Sequence, residues 1–197
     1  MTLEQGLSFL IFSFVAAVTP GPSNVMLTAT GAMVGVARGL PCLLGVAVGM
    51  GALLFAAALG LGQVVLGHPR LMQVLNWGGA AFLLWLAWKI ATAEPASQDT
   101  NRKAVGFVEA ATFQWINPKS WMVGVSAAGT YLQTTSDSAL LYAVTFAAIF
   151  VAAALPSSFL WLAFGASMHR LLRSTRAARI FNIVMGVSLA ASVAMIL

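Results

Sequence analysis

Val18-Thr19-Pro20-Gly21-Pro22-Ser23-Asn24 interrupts an apolar run that otherwise extends from Leu3 to about Val34, and its reading decides the fold. The run has helical composition, but proline has no N–H and its ring clashes with the preceding turn. Unbroken, about 32 residues at about 1.5 Å each would give a helix of about 48 Å. A bilayer core is only about 30 Å thick. The segment is therefore predicted to be two helical pieces joined by a break inside the membrane. A second long run, from about Val105 to Tyr131, carries Asn117-Pro118-Lys119 and is predicted to break in the same way.

The rest of the chain supports the bilayer as its solvent. Of 197 residues, 60% are hydrophobic and 8% are charged, and mean hydropathy is +0.91. A soluble domain carries about a quarter charged residues. Continuous apolar strings without alternation exclude a lipid-facing barrel strand. Helices remain, because lipid offers backbone groups no partners. Beyond the two broken runs, spans are predicted from about Pro41 to Leu66, Leu71 to Thr92, Ala139 to Gly165 and Ile180 to Leu197. The fold class is thus an all-α membrane protein of six transmembrane helices in one domain, 1–197. No basic residue precedes the first run in Met1 to Gln5, so that run is expected to be retained rather than cleaved as a signal peptide.

Charge sets the orientation. Arg38, Lys89, Arg102, Lys103, Arg170, Arg173, Arg176 and Arg179 fall in alternate connections, against Arg70 alone on the other side. The first set is predicted cytoplasmic, with both termini outside. The net charge of +5 reads as topology, not as a nucleic-acid footprint. Cys42 is the single cysteine, which excludes an internal disulfide or a two-cysteine relay.

The chain also reads as a duplication. Pro20 and Pro118 are 98 positions apart, and Arg70 and Asn76 are spaced like Arg176 and Asn182. The halves would be about 1–92 and 104–197, joined by a polar cytoplasmic loop at 93–103. An odd number of spans per half requires opposite insertion, the inverted-repeat arrangement of transporters.

Two stretches carry the candidate chemistry. At Thr19, Pro20, Gly21, Pro22, Ser23 and Asn24, freed amides suit a carboxylate and freed carbonyls suit an ammonium. Ser23 and Asn24 are expected to cap the second half-helix. The plainer alternative is a proline kink patched by its neighbours. The second stretch is Gln114, Asn117, Pro118 and Lys119. Lys119 lies about 14 residues, or about 21 Å, into its span, too deep for its stem to reach the interface. Intramembrane charge is costly and mostly functional; the alternative is a lysine pairing with carbonyls freed by the breaks. Glu109 is a candidate proton carrier if buried, or an interfacial acid facing Arg102 or Lys103. Asn76 and Asn182 can join helices or contact substrate. Tryptophans default to interface anchors, with Trp115 and Trp121 placed to wall a cavity. Gly45-x-x-x-Gly49 signals close helix packing. No phosphate-binding loop, catalytic triad or metal-ligand spacing is present, so no enzyme activity, metal or cofactor is expected.

Together, Pro20-Gly21-Pro22 with Asn24, the glycines from Gly45 to Gly51, and Asn117-Pro118-Lys119 resemble the LysE/RhtB family of amino-acid exporters over the whole chain. The segments Trp77 to Ala81, Trp85 to Thr92, Phe113 to Asn117 and Gly124 to Ser126 are similar to its cysteine/O-acetylserine branch. The resemblance implies a bacterial inner-membrane antiporter exchanging protons for a small neutral amino acid. The substrate would be cysteine- or O-acetylserine-like, or threonine-, homoserine- or leucine-like. Several members carry an acid where this chain has Met50, which argues against a basic substrate. A homodimer is compatible with this size. Two other readings stand beside it. One is a membrane thiol/redox protein, which a lone cysteine disfavours; the other is a non-transporting scaffold.

Overall fold

The fold starts from a capped helix. Thr2 Oγ1 accepts the Gln5 amide at 3.2 Å, and Gln5 Oε1 accepts the Thr2 amide at 3.0 Å. This reciprocal box starts α1 (Leu3–Val18). Pro20 prevents its continuation, and Pro22 opens α2 (Pro22–Ala58) at the first helical position, where a missing N–H does no harm. The first predicted break is therefore present. In this computed structural model residues 1–92, 104–131, 139–171 and 175–193 are described.

α2 is not one rod. Gly35 sits at φ 76°, open to glycine and strained for other residues. Thr30 Oγ1 lies 3.8 Å from Cys42 Sγ, whereas twelve residues of straight helix would separate them by about 18 Å. The chain thus folds back at Gly35. The predicted connection between Val34 and Pro41 is corrected to a one-residue corner, and Arg38 is helical. The returning arm, 36–58, is about 34 Å long.

Gly60, at φ 100°, ends this arm. α3 (Leu61–Gly67) and α4 (Pro69–Ala91) follow. α5 (Phe107–Ile116) and α6 (Pro118–Tyr131) are separated only by Asn117, so the second predicted break is present as well. α7 (Ala139–Leu171) contains Pro156, and α8 is Thr175–Val193. The predicted connection between Gly165 and Ile180, which carries Arg170, Arg176 and Arg179, is helical in its described residues: α7 continues to Leu171 and α8 begins at Thr175. The predicted loop 93–103, with Arg102 and Lys103, lies outside the described residues, as does Arg173.

Pro22–Ala58, Pro69–Ala91 and Ala139–Met168 are long and apolar enough to cross a membrane, and α1 is a shorter apolar helix. Burial is arranged for lipid. Ile11, Val74, Trp77, Trp88 and Val108 are exposed, whereas Ser13, Asn24, Thr28, Thr30, Gln114, Asn117, Ser120, Ser157 and Ser158 are buried. A water-soluble protein sorts the two classes the other way.

Small residues set the packing. α2 runs along α7, where Gly31 abuts the Leu162 carbonyl and Gly165 abuts the Thr28 carbonyl. Gly45 and Gly49 face α5, at the Phe107 carbonyl, Ala110 and Ala111. The Gly-x-x-x-Gly pattern is thus a helix contact, as its spacing predicts. Gly186 of α8 rests on Ala87 and Ala91 of α4, and Gly79 of α4 rests on the second break at Ile116 and Pro118. Phe9 of α1 stacks on Phe146 of α7 with centroids 4.1 Å apart.

Candidate functional site

Each helix break leaves a carbonyl without its donor. In a helix the amide of residue i serves the carbonyl of residue i−4. Pro20 and Pro118 have no amide, so the carbonyls of Ala16 and Gln114 lose that partner. Ala16 and Gln114 line the same cavity, of about 50 Å³. The first break also supplies Ala17, Gly21, Ser23 and Asn24 to its wall, and the second supplies Asn117, Lys119 and Ser120. Val46, Met50, Val123, Phe150, Ala154 and Ser158 complete it.

The two breaks are tied to each other. Lys119 Nζ donates to the Thr19 carbonyl at 2.8 Å and the Pro20 carbonyl at 3.3 Å. Gln114, fully buried, accepts from Ser23 Oγ at 3.0 Å and Ser120 Oγ at 3.1 Å, and donates to the Ala110 carbonyl at 3.0 Å. Asn117 Nδ2 reaches Ser23 Oγ at 3.4 Å, and its Oδ1 accepts the Lys119 amide at 3.2 Å. Gly21 is required for space rather than for conformation: its backbone is extended, but an added Cβ would lie 2.8 Å from Lys119 Nζ.

The capping roles differ from those expected of Ser23 and Asn24. Asn24 Nδ2 donates to the Ala17 and Thr19 carbonyls at 3.1 and 2.8 Å. It therefore caps the end of α1, not the start of α2. Ser23 reaches across to Gln114. The reason is proline: the Asn24 side-chain amide answers carbonyls left at the end of α1, while the Ser23 hydroxyl donates to the Gln114 side-chain oxygen. Trp161 Nε1 serves the Val18 carbonyl at 3.2 Å, and Trp121 Nε1 serves the Trp115 carbonyl at 2.7 Å. Thr19 bonds Val15 within its own helix at 2.6 Å. As a result the head of α2 has no side-chain cap. Its positive end and the Lys119 ammonium sit side by side at Gly21, while the carbonyl ends of α1 and α5 meet across the same hollow.

Trp115 and Trp121 pack edge to face at 6.0 Å beside the second break, outside the cavity wall. Asn76 on α4 and Asn182 on α8 are half-buried and also lie outside it. Glu109 is exposed; its Oε2 accepts the Gly106 amide at 2.9 Å and so caps α5. Its proposed pairing with Arg102 or Lys103 falls outside the described residues. Cys42 is buried against Thr30, away from the cavity. Ser158 was missed by the sequence reading. It is 3% exposed, lines the cavity, and its hydroxyl has no partner among the described residues. Pro156, a proline inside α7 two residues earlier, was the available signal.

The family described as LysE type translocator matches residues 14–196. Among curated proteins, a cysteine/O-acetylserine efflux protein of Klebsiella pneumoniae is 36% identical over 140 residues, 70% of this chain and 71% of that protein. Proteins of the same description from Salmonella typhimurium and Escherichia coli O1:K1 are 32% and 29% identical, each over 64% of both chains. The chain thus matches a little under two thirds of the length of these last two. No solved structure matches the chain.

Proposed function

From its membership of the LysE type translocator family, which makes this chain a multi-pass membrane translocator and not an enzyme, we propose that it exports a small neutral amino acid through the cavity between its two helix breaks. The observation that carries the proposal is the sharing of one hollow by both breaks. The substrate carboxylate would lie at the uncapped head of α2 beside Lys119. The ammonium would lie at the carbonyl ends marked by Ala16 and Gln114. These are the two charge signs that broken-helix sites present to a zwitterion. Val123, Phe150, Ala154 and Met50 give the hollow an apolar wall, and the Ser158 hydroxyl is a polar group on it. Cysteine and O-acetylserine, the substrates named for the relatives, are proposed ahead of a threonine-, homoserine- or leucine-like one on that likeness.

About 10–15 Å³ is needed to hold one water, so a cavity of about 50 Å³ holds a few waters and no whole amino acid. Loading requires the halves to move apart. The packing supports such a motion about an inverted repeat: α1 meets α7 as α5 meets α2, and α2 pairs with α7 as α4 pairs with α8. Six crossings follow if α1 with the first arm of α2, and α5 with α6, each count as one broken span. Both termini would then lie outside the cytoplasm of a bacterial inner membrane, a reading that the arginine pattern supports.

Proton antiport is proposed with Lys119 as the moving charge. Its ammonium holds the first break closed through Thr19 and Pro20, and loss of the proton would weaken that tie. Exposed and engaged as a helix cap, Glu109 is poorly placed to share the role. Purified protein in liposomes, loaded with labelled O-acetylserine, tests the reading. Efflux driven by an imposed pH gradient supports it. Absence of movement for O-acetylserine, cysteine and the other small neutral amino acids would overturn it.

A further inference from the structure

A second hollow, of about 330 Å³, lies between α4 and α5. Its mouth carries Lys89 and Glu109, and its walls are apolar, with Phe82, Trp85, Phe113 and Ile116 among them. Lys89 is in the last turn of α4 and Glu109 in the first turn of α5, so both mark the end of the bundle where the arginine pattern places the cytoplasm. Phe82 and Ile116 lie seven residues further along each helix, about 10 Å deeper. The hollow is therefore a charged mouth above an apolar slot.

The two charges share this space without forming an ion pair, and the Thr112 hydroxyl on the same face of α5 has no partner among the described residues. Lys89 Nζ stands 4.5 Å over the Trp85 ring, which holds the ammonium at the mouth. Glu109 uses Oε2 for the Gly106 amide; a carboxylate has acceptor sites to spare. Val108 and Trp85, 72% and 52% exposed, continue the slot onto the outer surface, which this composition turns toward lipid. An open side, an apolar depth and two opposite charges at interface level define the ligand's chemistry. It carries an anionic group, an ammonium and a long apolar tail.

We propose that this hollow binds a phospholipid with a zwitterionic aminoethyl phosphate headgroup. The phosphate lies on Lys89 and the ammonium on Glu109. One acyl chain follows Phe82 and Phe113 toward Ile116. Basic pockets between helices on the cytoplasmic side are known lipid sites; the added acid selects a headgroup that also carries a positive charge. The site is independent of the transport reading, because none of its charged groups touches the central cavity.

Native mass spectrometry of the delipidated full chain in detergent tests it, with phosphatidylethanolamine and phosphatidylglycerol as probes. Phosphatidylethanolamine should bind more tightly. Lys89→Gln should weaken it about fivefold, the effect of one basic residue near a lipid headgroup. Glu109→Gln keeps the helix cap, since glutamine also serves at that position, and should abolish the preference between the two lipids. Thr112→Trp, which fills the slot, should remove binding, while Lys119→Ala should leave it intact even if transport fails. Equal binding of both lipids by the unaltered protein, indifference to all three slot variants, or displacement of the lipid by free O-acetylserine would overturn the proposal.

Discussion

The Lys119 ammonium lies 2.8 Å from the carbonyl oxygen of Thr19, a hundred positions earlier in the chain. This bond joins the start of α6 to the end of α1, and so joins the two helix breaks. A lysine this deep is tolerable because it meets carbonyls that Pro20 and Pro22 have deprived of ordinary helical continuation. The structural and functional readings of Lys119 therefore describe one arrangement: the group that patches the break also puts its ammonium at the cavity.

Replacing Lys119 by Ala should lower transport about 10- to 100-fold. That corresponds to the loss of about 1.5–3 kcal/mol for a hydrogen bond to a charged group. Efflux from liposomes measures it, with yield in the membrane fraction checking insertion. Unchanged efflux would support the scaffold reading.

Gly21→Ala should separate fold from function. The added methyl would meet Lys119 Nζ at 2.8 Å, but a lysine tip is mobile and can shift aside. Thermal stability in detergent should barely move, while transport falls because the ammonium is displaced from Thr19 and Pro20.

Gly49→Val should do the opposite. Its new Cβ would lie 2.7 Å from the Ala111 backbone, which cannot yield as a side-chain tip does. Overpacking of this kind costs about 1–3 kcal/mol, and the melting temperature of the purified protein should fall accordingly.

Both breaks, the helical class and the close-packing role of Gly45 and Gly49 were legible in the sequence, because proline chemistry and small-residue spacing act locally. The corner at Gly35 was not: one glycine at positive φ replaces a loop, and nothing in Val34-Gly35-Val36 distinguishes it from a glycine in a continuing helix. The polar residues of the two breaks were legible but their partners were not, and Asn76 and Asn182 lie outside the cavity that those residues line. Asn24 faces backwards to α1 and Ser23 faces Gln114, and only the meeting of two distant breaks determines which carbonyls need donors. Ser158 was missed although Pro156 stands two residues before it, because a proline does not tell which face of its helix meets the cavity.

Ser158→Ala should alter the ranking of substrates more than the maximal rate. Its hydroxyl is the cavity group left without a partner among the described residues. A lost neutral hydrogen bond is worth about 1 kcal/mol, or about fivefold in relative affinity. Competition between O-acetylserine and alanine for efflux checks this.

Cys42→Ala should leave efflux unchanged, because the thiol is buried beside Thr30 and outside the cavity. Loss of activity in that variant, with normal insertion, would revive the redox reading.

The most direct measurement is equilibrium binding of O-acetylserine to the purified protein by calorimetry, set against O-acetylethanolamine, which lacks the carboxylate, and N,O-diacetylserine, which lacks the ammonium. A cavity built from one amide end with Lys119 and two carbonyl ends should bind the zwitterion and reject both singly charged analogues. Equal binding of either analogue, or no binding of the zwitterion, would contradict the account.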